Sequence, residues 1–320
     1  MKRSIFTPMI FMVLVLIIIL SGCNKKKTVG KEPVKDPVKT TEDVVEEDVD
    51  KEKVMKDFAN IVGSKNTPDK IIAFIDEKIG KLSAIEGDIM ISDLERALEK
   101  SLELETDNIF KLDTNGELMQ LSNELFFPED KVKDIKNDKL REAVERLFDS
   151  KYKLINLEGN HYPIIDYEKL KVYNDNISDE LKEYIAIRAL DSNTPVAIDA
   201  GLYITHEDLS QRILKTETYL QKYSGGQRHE EMLKAYRNKL SIYLSGMDNA
   251  PIADKETQKI YDDVLSSYKK TANIKDSVTA FIMRKYIGVI EENKHIINDT
   301  VKQSVLSLIN ESLSLLENNK

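Results

Sequence analysis

Residues that do chemistry on their own are scarce in this 320-residue chain. It has one cysteine, Cys23, which excludes an internal disulfide and a multi-thiolate zinc site. It has no tryptophan, 12 glycines and 8 prolines, and Leu, Ile, Lys and Glu are abundant, a balance that favours helices over a β-sandwich. Its four histidines, His161, His206, His229 and His295, are scattered and offer no close pair of metal ligands. Basic residues are outnumbered by acidic ones, 47 to 56, so the formal charge is −9 and gives no basic footprint for nucleic acid.

The first 23 residues are the most informative. Lys2 and Arg3 are followed by twelve unbroken apolar residues, Met9 to Leu20, with Pro8 bounding the run. A signal-peptide core spans ~7–15 apolar residues and a membrane-crossing helix about 20, so the run is too short to span. Leu20, Ser21 and Gly22 then lead directly into Cys23. This order resembles the lipobox of bacterial lipoproteins, in which the cysteine takes a diacylglyceryl group and becomes the first residue of the mature chain. The resemblance implies a leader at 1–22, a lipid on Cys23 and a mature protein held on the outer face of the plasma membrane. Two acyl chains give stable anchoring because each buried CH₂ contributes ~0.8 kcal/mol.

Residues 23–52 read as a disordered tether. Glu32-Pro33-Val34-Lys35 is nearly repeated as Asp36-Pro37-Val38-Lys39, and too little apolar surface is present to offset the entropy of ordering. Lys25, Lys26 and Lys27 are placed to meet anionic headgroups, at about 1 kcal/mol each near the surface, or simply to keep the tether soluble.

The remainder predicts a mainly α body, an elongated helical bundle, in blocks 53–151 and 152–320 that could equally form one continuous domain. Thr67-Pro68-Asp69 starts a helix carrying Ile71, Ile72, Phe74, Ile75 and Ile79. Ser92-Asp93-Leu94-Glu95 has the form of a capping box opening a second helix. Asp113-Thr114-Asn115-Gly116 is a turn whose acids lack the alternation of a calcium loop. At most one short β-hairpin is expected, near 153–166. Ser178 caps a helix bearing Leu181, Tyr184, Ile185 and Arg188.

The longest helix is expected from Pro195 to Tyr223, unless Thr205-His206-Glu207-Asp208 caps a fresh start near Ile204. Ser224-Gly225-Gly226 ends it, and a return helix with Met232, Leu233, Tyr236, Leu240 and Tyr243 completes a long helical hairpin. Three more helices are expected at about 254–272, 276–292 and 299–317.

Three constellations bear on chemistry. Tyr223-Ser224-Gly225-Gly226-Gln227-Arg228 is similar to the signature motif of ABC ATPases, but no GxxxxGK[ST] phosphate loop accompanies it, so the glycines are read as a turn. Glu158, His161, Tyr162, Asp166 and Tyr167 gather acids, a histidine and aromatic rings on irregular backbone, where Glu158 and Asp166 could serve a sugar-cleaving hydrolase or merely face water. Asp199, Arg212 and Glu217 flank the apolar stripe of the long helix and are candidates for a buried ionic site, with Asp208–Arg212 as a simple surface pair instead. As a string, the body is loosely similar to surface lipoproteins, a likeness that implies only a helical extracytoplasmic domain. The sequence calls for no cofactor or metal beyond the lipid on Cys23. It favours a non-catalytic binding or scaffold protein with a protein or cell-wall partner; a wall hydrolase and, more distantly, a transporter's solute receptor are the alternatives.

Overall fold

The computed structural model describes residues 50–64 and 67–317. Helices α1 (Lys51–Gly63), α2 (Pro68–Lys78), α3 (Ala84–Leu112), α4 (Glu117–Leu121) and α5 (Asp138–Asp149) precede a hairpin of β1 (Tyr152–Leu157) and β2 (Asn160–Ile165). Then come α6 (Tyr167–Leu170), α7 (Asp179–Asn193), a two-residue ladder of β3 (Ala197–Ile198) and β4 (Gly201–Leu202), α8 (His206–Lys222) and α9 (His229–Ser245). A third ladder, β5 (Gly246–Met247) with β6 (Ala250–Pro251), leads to α10 (Asp262–Ala272), α11 (Val278–Glu292) and α12 (Asp299–Glu317). The fold is mainly α, and all three sheets are antiparallel pairs.

Several helices begin where a side chain satisfies their first amides. Asn137 caps α5 by accepting from Lys139 and Leu140, and Ser178 caps α7 by accepting from Leu181. Asp113 accepts from Glu117 and Leu118 and so sets the start of α4. Apolar side chains from α1 to α12 then merge into one buried cluster that includes Phe58, Leu98, Leu147, Tyr184, Leu240 and Leu316. Burying each such chain contributes about 1.5–3 kcal/mol. The helix α3 comes very close to the 3-10 turn Lys171–Asn176, where a Cβ on Gly87 would overlap the Asn176 carbonyl oxygen.

Four expectations need correction. The second helix does not open at Ser92: the capping box is Ser83–Glu86, and α3 runs through to Leu112 as the longest described helix, with 29 residues. Asp93 pairs with Arg96 on that helix instead of capping it. The stretch from Pro195 to Tyr223 is not one helix, because Asp199 and Ala200 turn left-handed, at φ 57° and 54°, between β3 and β4. The alternative start applies: Thr205 and Asp208 form a reciprocal capping box for α8. The helix expected from 254 begins only at Asp262, since the Asp254 carboxylate draws in the Glu256 and Thr257 amides and turns the chain. Two small ladders exist beyond the one hairpin expected.

The α8–α9 hairpin forms as expected, with Tyr223 to Arg228 as its turn, and α12 packs back against α9. Together α3, α7 and this turn frame the polar centre described next.

Candidate functional site

The lipobox residues Leu20, Ser21 and Gly22, the cysteine Cys23, and Lys25, Lys26 and Lys27 lie outside the described residues.

The five hairpin candidates do not converge. Glu158 occupies the β1–β2 turn at φ 52°, while Asp166 follows the last residue of β2. Five register steps separate the two ends of the ladder, which at ~3.4 Å per residue is roughly 17 Å. Glycoside-cleaving carboxyl pairs stand about 5–9.5 Å apart. Each acid has other partners. Glu158, fully exposed, shares a hydrogen bond with Asp199, which holds its carboxyl above the usual range, and the Asp199 charge adds to this. Asp166 accepts from the Glu168 amide at 3.1 Å and pairs with Lys153 at 3.4 Å. His161 is buried edge-on to Phe127, with no hydrogen-bond partner for either ring nitrogen among the described residues, and burial lowers its pKa. The Tyr162 ring meets the edge of Phe110 at 5.1 Å. Only Tyr167 enters an ionic centre.

Asp199, Arg212 and Glu217 occupy three separate places. Asp199 is at a hairpin tip, where its carbonyl accepts from the Asn249 amide side chain. Arg212 pairs with Asp191 at 3.0 Å and donates to the Thr194 carbonyl at 2.7 Å, and Lys239 takes the other Asp191 oxygen at 2.6 Å. The simple Asp208–Arg212 pair is not made, because Asp208 caps α8. Glu217 is buried against the start of α11 and accepts from the Val278 and Thr279 amides at 2.7 and 2.9 Å.

The densest polar centre forms around Glu95, in the middle of α3. Side chains four apart on a helix share a face, so α3 presents Glu95 and Glu99 together, and α7 presents Glu180, Tyr184 and Arg188. The glycine turn after α8 completes it. A Cβ on Gly226 would overlap the Glu180 carboxylate, and that carboxylate accepts from the Arg228 amide at 3.2 Å and the Tyr219 hydroxyl at 3.0 Å. The bare glycine thus lets Glu180 seat the turn so that Arg228 reaches inward. Its Nη2 donates to Glu95 Oε2 at 2.5 Å and its Nη1 to Glu231 at 2.8 Å. The other Glu95 oxygen accepts from the hydroxyls of Tyr167 at 2.5 Å and Tyr184 at 2.6 Å.

Glu95 is therefore a buried carboxylate whose charge is met by an arginine and two phenols. Burial first, and the adjacent Glu95 charge as well, push both tyrosines far above their ordinary range and keep them as donors. Burial opposes the Arg228 charge more than any one neighbour supports it, and Glu95, Tyr184 and Glu231 together more than offset that cost and raise its pKa.

Arg188 is different. Its guanidinium stands over the Tyr167 ring at 4.6 Å and donates one long hydrogen bond, 3.3 Å, to the Tyr184 hydroxyl. Among the described residues, no carboxylate lies within ion-pair distance of it. Glu99, one turn along from Glu95, also lacks an ion pair. Its carboxyl is pushed up by partial loss of solvent and by Glu95, opposed by Arg188 and Arg228; the side chain is exposed overall, so water screens these effects.

Sequence reasoning named Tyr167, placed Tyr184 and Arg188 on a helix face and singled out the turn carrying Arg228, but not the meeting of Tyr167, Tyr184 and Arg228 at Glu95. The available signal was a glutamate between Leu94 and Leu98 in an apolar stripe. Among the described residues, no group of three or more His, Cys, Asp or Glu side chains is arranged to hold a metal ion, and no helix is long and apolar enough to cross a membrane. No family model matches the chain, and no curated protein or solved structure matches it either.

Proposed function

We propose that this protein is a lipid-anchored extracytoplasmic protein whose helical body acts by binding or scaffolding at the cell surface and not by catalysis. The observation that carries the anchoring is the sole cysteine, set directly after Leu20-Ser21-Gly22 at the end of a twelve-residue apolar run. Such a cysteine, acylated, holds the mature chain on the outer face of the plasma membrane, with residues 24–52 as spacer and Lys25, Lys26 and Lys27 facing anionic headgroups. A protein or wall polymer within reach of the spacer is the partner class.

The non-catalytic reading is supported by the hairpin. The acids that could have made a hydrolytic pair, Glu158 and Asp166, sit at its opposite ends. The buried polar groups of the body are largely occupied in joining helices, as Glu95 and Glu217 are.

The test has two arms. Intact-mass analysis of protein from membranes should find residue 23 first and carrying a diacylglyceryl mass, and Cys23→Ser should abolish that mass. An unmodified thiol on a chain that retains residues 1–22 rejects the anchor. For the body, wild type and Glu158→Gln should release equally little soluble material from wall fragments, whereas release lost in Glu158→Gln rejects the non-catalytic reading.

A further inference from the structure

We infer that the cleft between the C-terminal end of α7 and the first three turns of α8 binds a small organic carboxylate with an aliphatic body. The carboxylate lies on Arg212 and Lys215, and the body lies against Leu190 and Ile204. This deepens the reading of the body as a binding module and rests on it.

The cleft has a volume of ≈ 390 Å³, and Leu190, Ile204, Asp208, Arg212 and Lys215 are among the residues that line it. That is room for a small ligand. Leu190, Asp208 and Lys215 are exposed, so the cleft is open to water.

The anion end starts from Arg212. Only its Nη1 is occupied: it donates to Asp191 Oδ1 at 3.0 Å, to the Thr194 carbonyl at 2.7 Å and to the Leu190 carbonyl at 3.3 Å. Nε and Nη2 have no hydrogen-bond partner among the described residues, and neither is a buried orphan, so both reach solvent. These two nitrogens form one edge of the planar guanidinium, with parallel N–H bonds spaced for the two oxygens of a carboxylate. The end of α7 thus grips the guanidinium by Nη1 and leaves its carboxylate-binding edge open. Donors fixed in this way lose little freedom when a ligand arrives. Lys215 lines the same cleft three residues further along α8, where spacing puts it on the Arg212 side, and it forms no ion pair among the described residues.

Charge selects a monoanion. Asp191 is answered twice, by Arg212 and by the buried Lys239 at 2.6 Å. With Lys215 and Asp208 included, three cations meet two carboxylates, so one positive charge is left over in a chain whose formal total is −9. Asp208 is held in its cap, where Oδ2 accepts from the Thr205 amide and hydroxyl, and its charge stands against a second negative charge in the cleft. A phosphate dianion would leave the cleft negative, and a cation would meet Arg212 and Lys215. Leu190, 39% exposed, and the half-buried Ile204 add an apolar wall that a bare inorganic anion does not cover. An aliphatic carboxylate answers both the charge and the wall.

The test is calorimetric titration of the full-length chain in nonionic detergent with isovalerate as probe. Acetate lacks the body, isovaleramide lacks the charge, and inorganic phosphate carries a second charge. Isovalerate should bind, and acetate about tenfold or more weakly, since each buried methylene strengthens binding about fourfold. Isovaleramide should not bind measurably. Arg212→Lys keeps the charge and loses the two-donor edge, and should weaken isovalerate about tenfold or more. Arg212 also ties α7 to α8, so Lys215→Gln, at an exposed and unpaired position, carries the test if Arg212→Lys does not fold. It should weaken isovalerate severalfold and leave the unfolding midpoint of the free protein in place. The Arg212 Nε–H resonance should move on adding isovalerate and not on adding isovaleramide. Isovaleramide or phosphate binding as tightly as isovalerate, or isovalerate binding unchanged in every variant that folds, overturns the site. Capture of wall fragments by a protein that ignores isovalerate overturns it too, while leaving the binding reading intact; failure of both removes both.

Discussion

Two buried carboxylates, Glu95 and Glu217, are equally hidden, 3% and 2% exposed, and held in opposite ways. Glu217, on α8, is met by the start of another helix: the Val278 and Thr279 amides, the Ser277 hydroxyl at 3.0 Å and the Gln221 amide at 3.2 Å. No cation forms an ion pair with it among the described residues, and the partial positive charge of the α11 N-terminus answers it instead. Glu95 is met wholly by side chains, from α6, α7 and the α8–α9 turn. Backbone donors have fixed positions once the helix forms, so Glu217 works as a staple between α8 and α11. A cluster of side chains can include more groups than its central charge consumes. Around Glu95 the surplus is Arg188 and Glu99, and it lies toward the surface.

The comparison can be broken most forcefully at Arg228. Arg228→Met strands the Glu95 charge in a site where both partners are nearly buried, 12% and 4% exposed. Removing one member of such a pair costs about 3–5 kcal/mol, to be read as a lower urea midpoint at unchanged slope. Glu217→Gln should cost less, about 2 kcal/mol, because it weakens charge-assisted amide bonds without stranding an opposite charge. Its effect should change little between low and high salt, since the carboxylate is buried and its hydrogen-bond donors are uncharged.

Gly226→Ala comes next. The added methyl displaces Glu180 from the Arg228 amide and the Tyr219 hydroxyl, at about 1–2 kcal/mol by thermal unfolding.

The smallest effect is expected at a third buried ionisable group, His161, whose ring nitrogens have no hydrogen-bond partner among the described residues. Burial lowers its folded pKa below the ordinary 6.5, so the unfolded chain takes up the proton first. The stability tied to a neutral His161 is complete above about pH 6.5 and declines as pH falls through that value. His206 shifts in the same direction, through burial, with Asp263 opposing. His161→Phe should therefore flatten part of the acid-side slope in a series of urea titrations and leave stability near pH 8 little changed.

Much of the helical framework was legible because it rests on local signals. Thr67-Pro68, Ser178 and the Thr205–Asp208 box sit where the chain turns into α2, α7 and α8. Misreadings arose where two local signals competed. Ser92-Asp93-Leu94-Glu95 has the letters of a capping box, yet Ser83 had already started α3, and Glu95 points into the core. Ala197 to Leu202 fits a helical stripe, and only the left-handed pair Asp199-Ala200, stapled by the Asn249 amide to the Ala200 carbonyl, shows the hairpin.

Single members of the polar centre were legible, but their convergence was not. Glu95 and Arg228 are 133 positions apart, and nothing local in either indicates the other. The glycine pair before Arg228 was correctly read as a turn, but its purpose, making room for Glu180, belongs to the packing of α7.

The most direct measurement is a pair of double-mutant cycles on the full-length chain, coupling Glu95→Gln first with Arg228→Met and then with Arg188→Met. With Arg228 consumed by Glu95 and Arg188 left over, the first cycle should give a coupling of about 3 kcal/mol and the second less than about 1 kcal/mol. Equal couplings would contradict the account and mean that both arginines serve the buried charge.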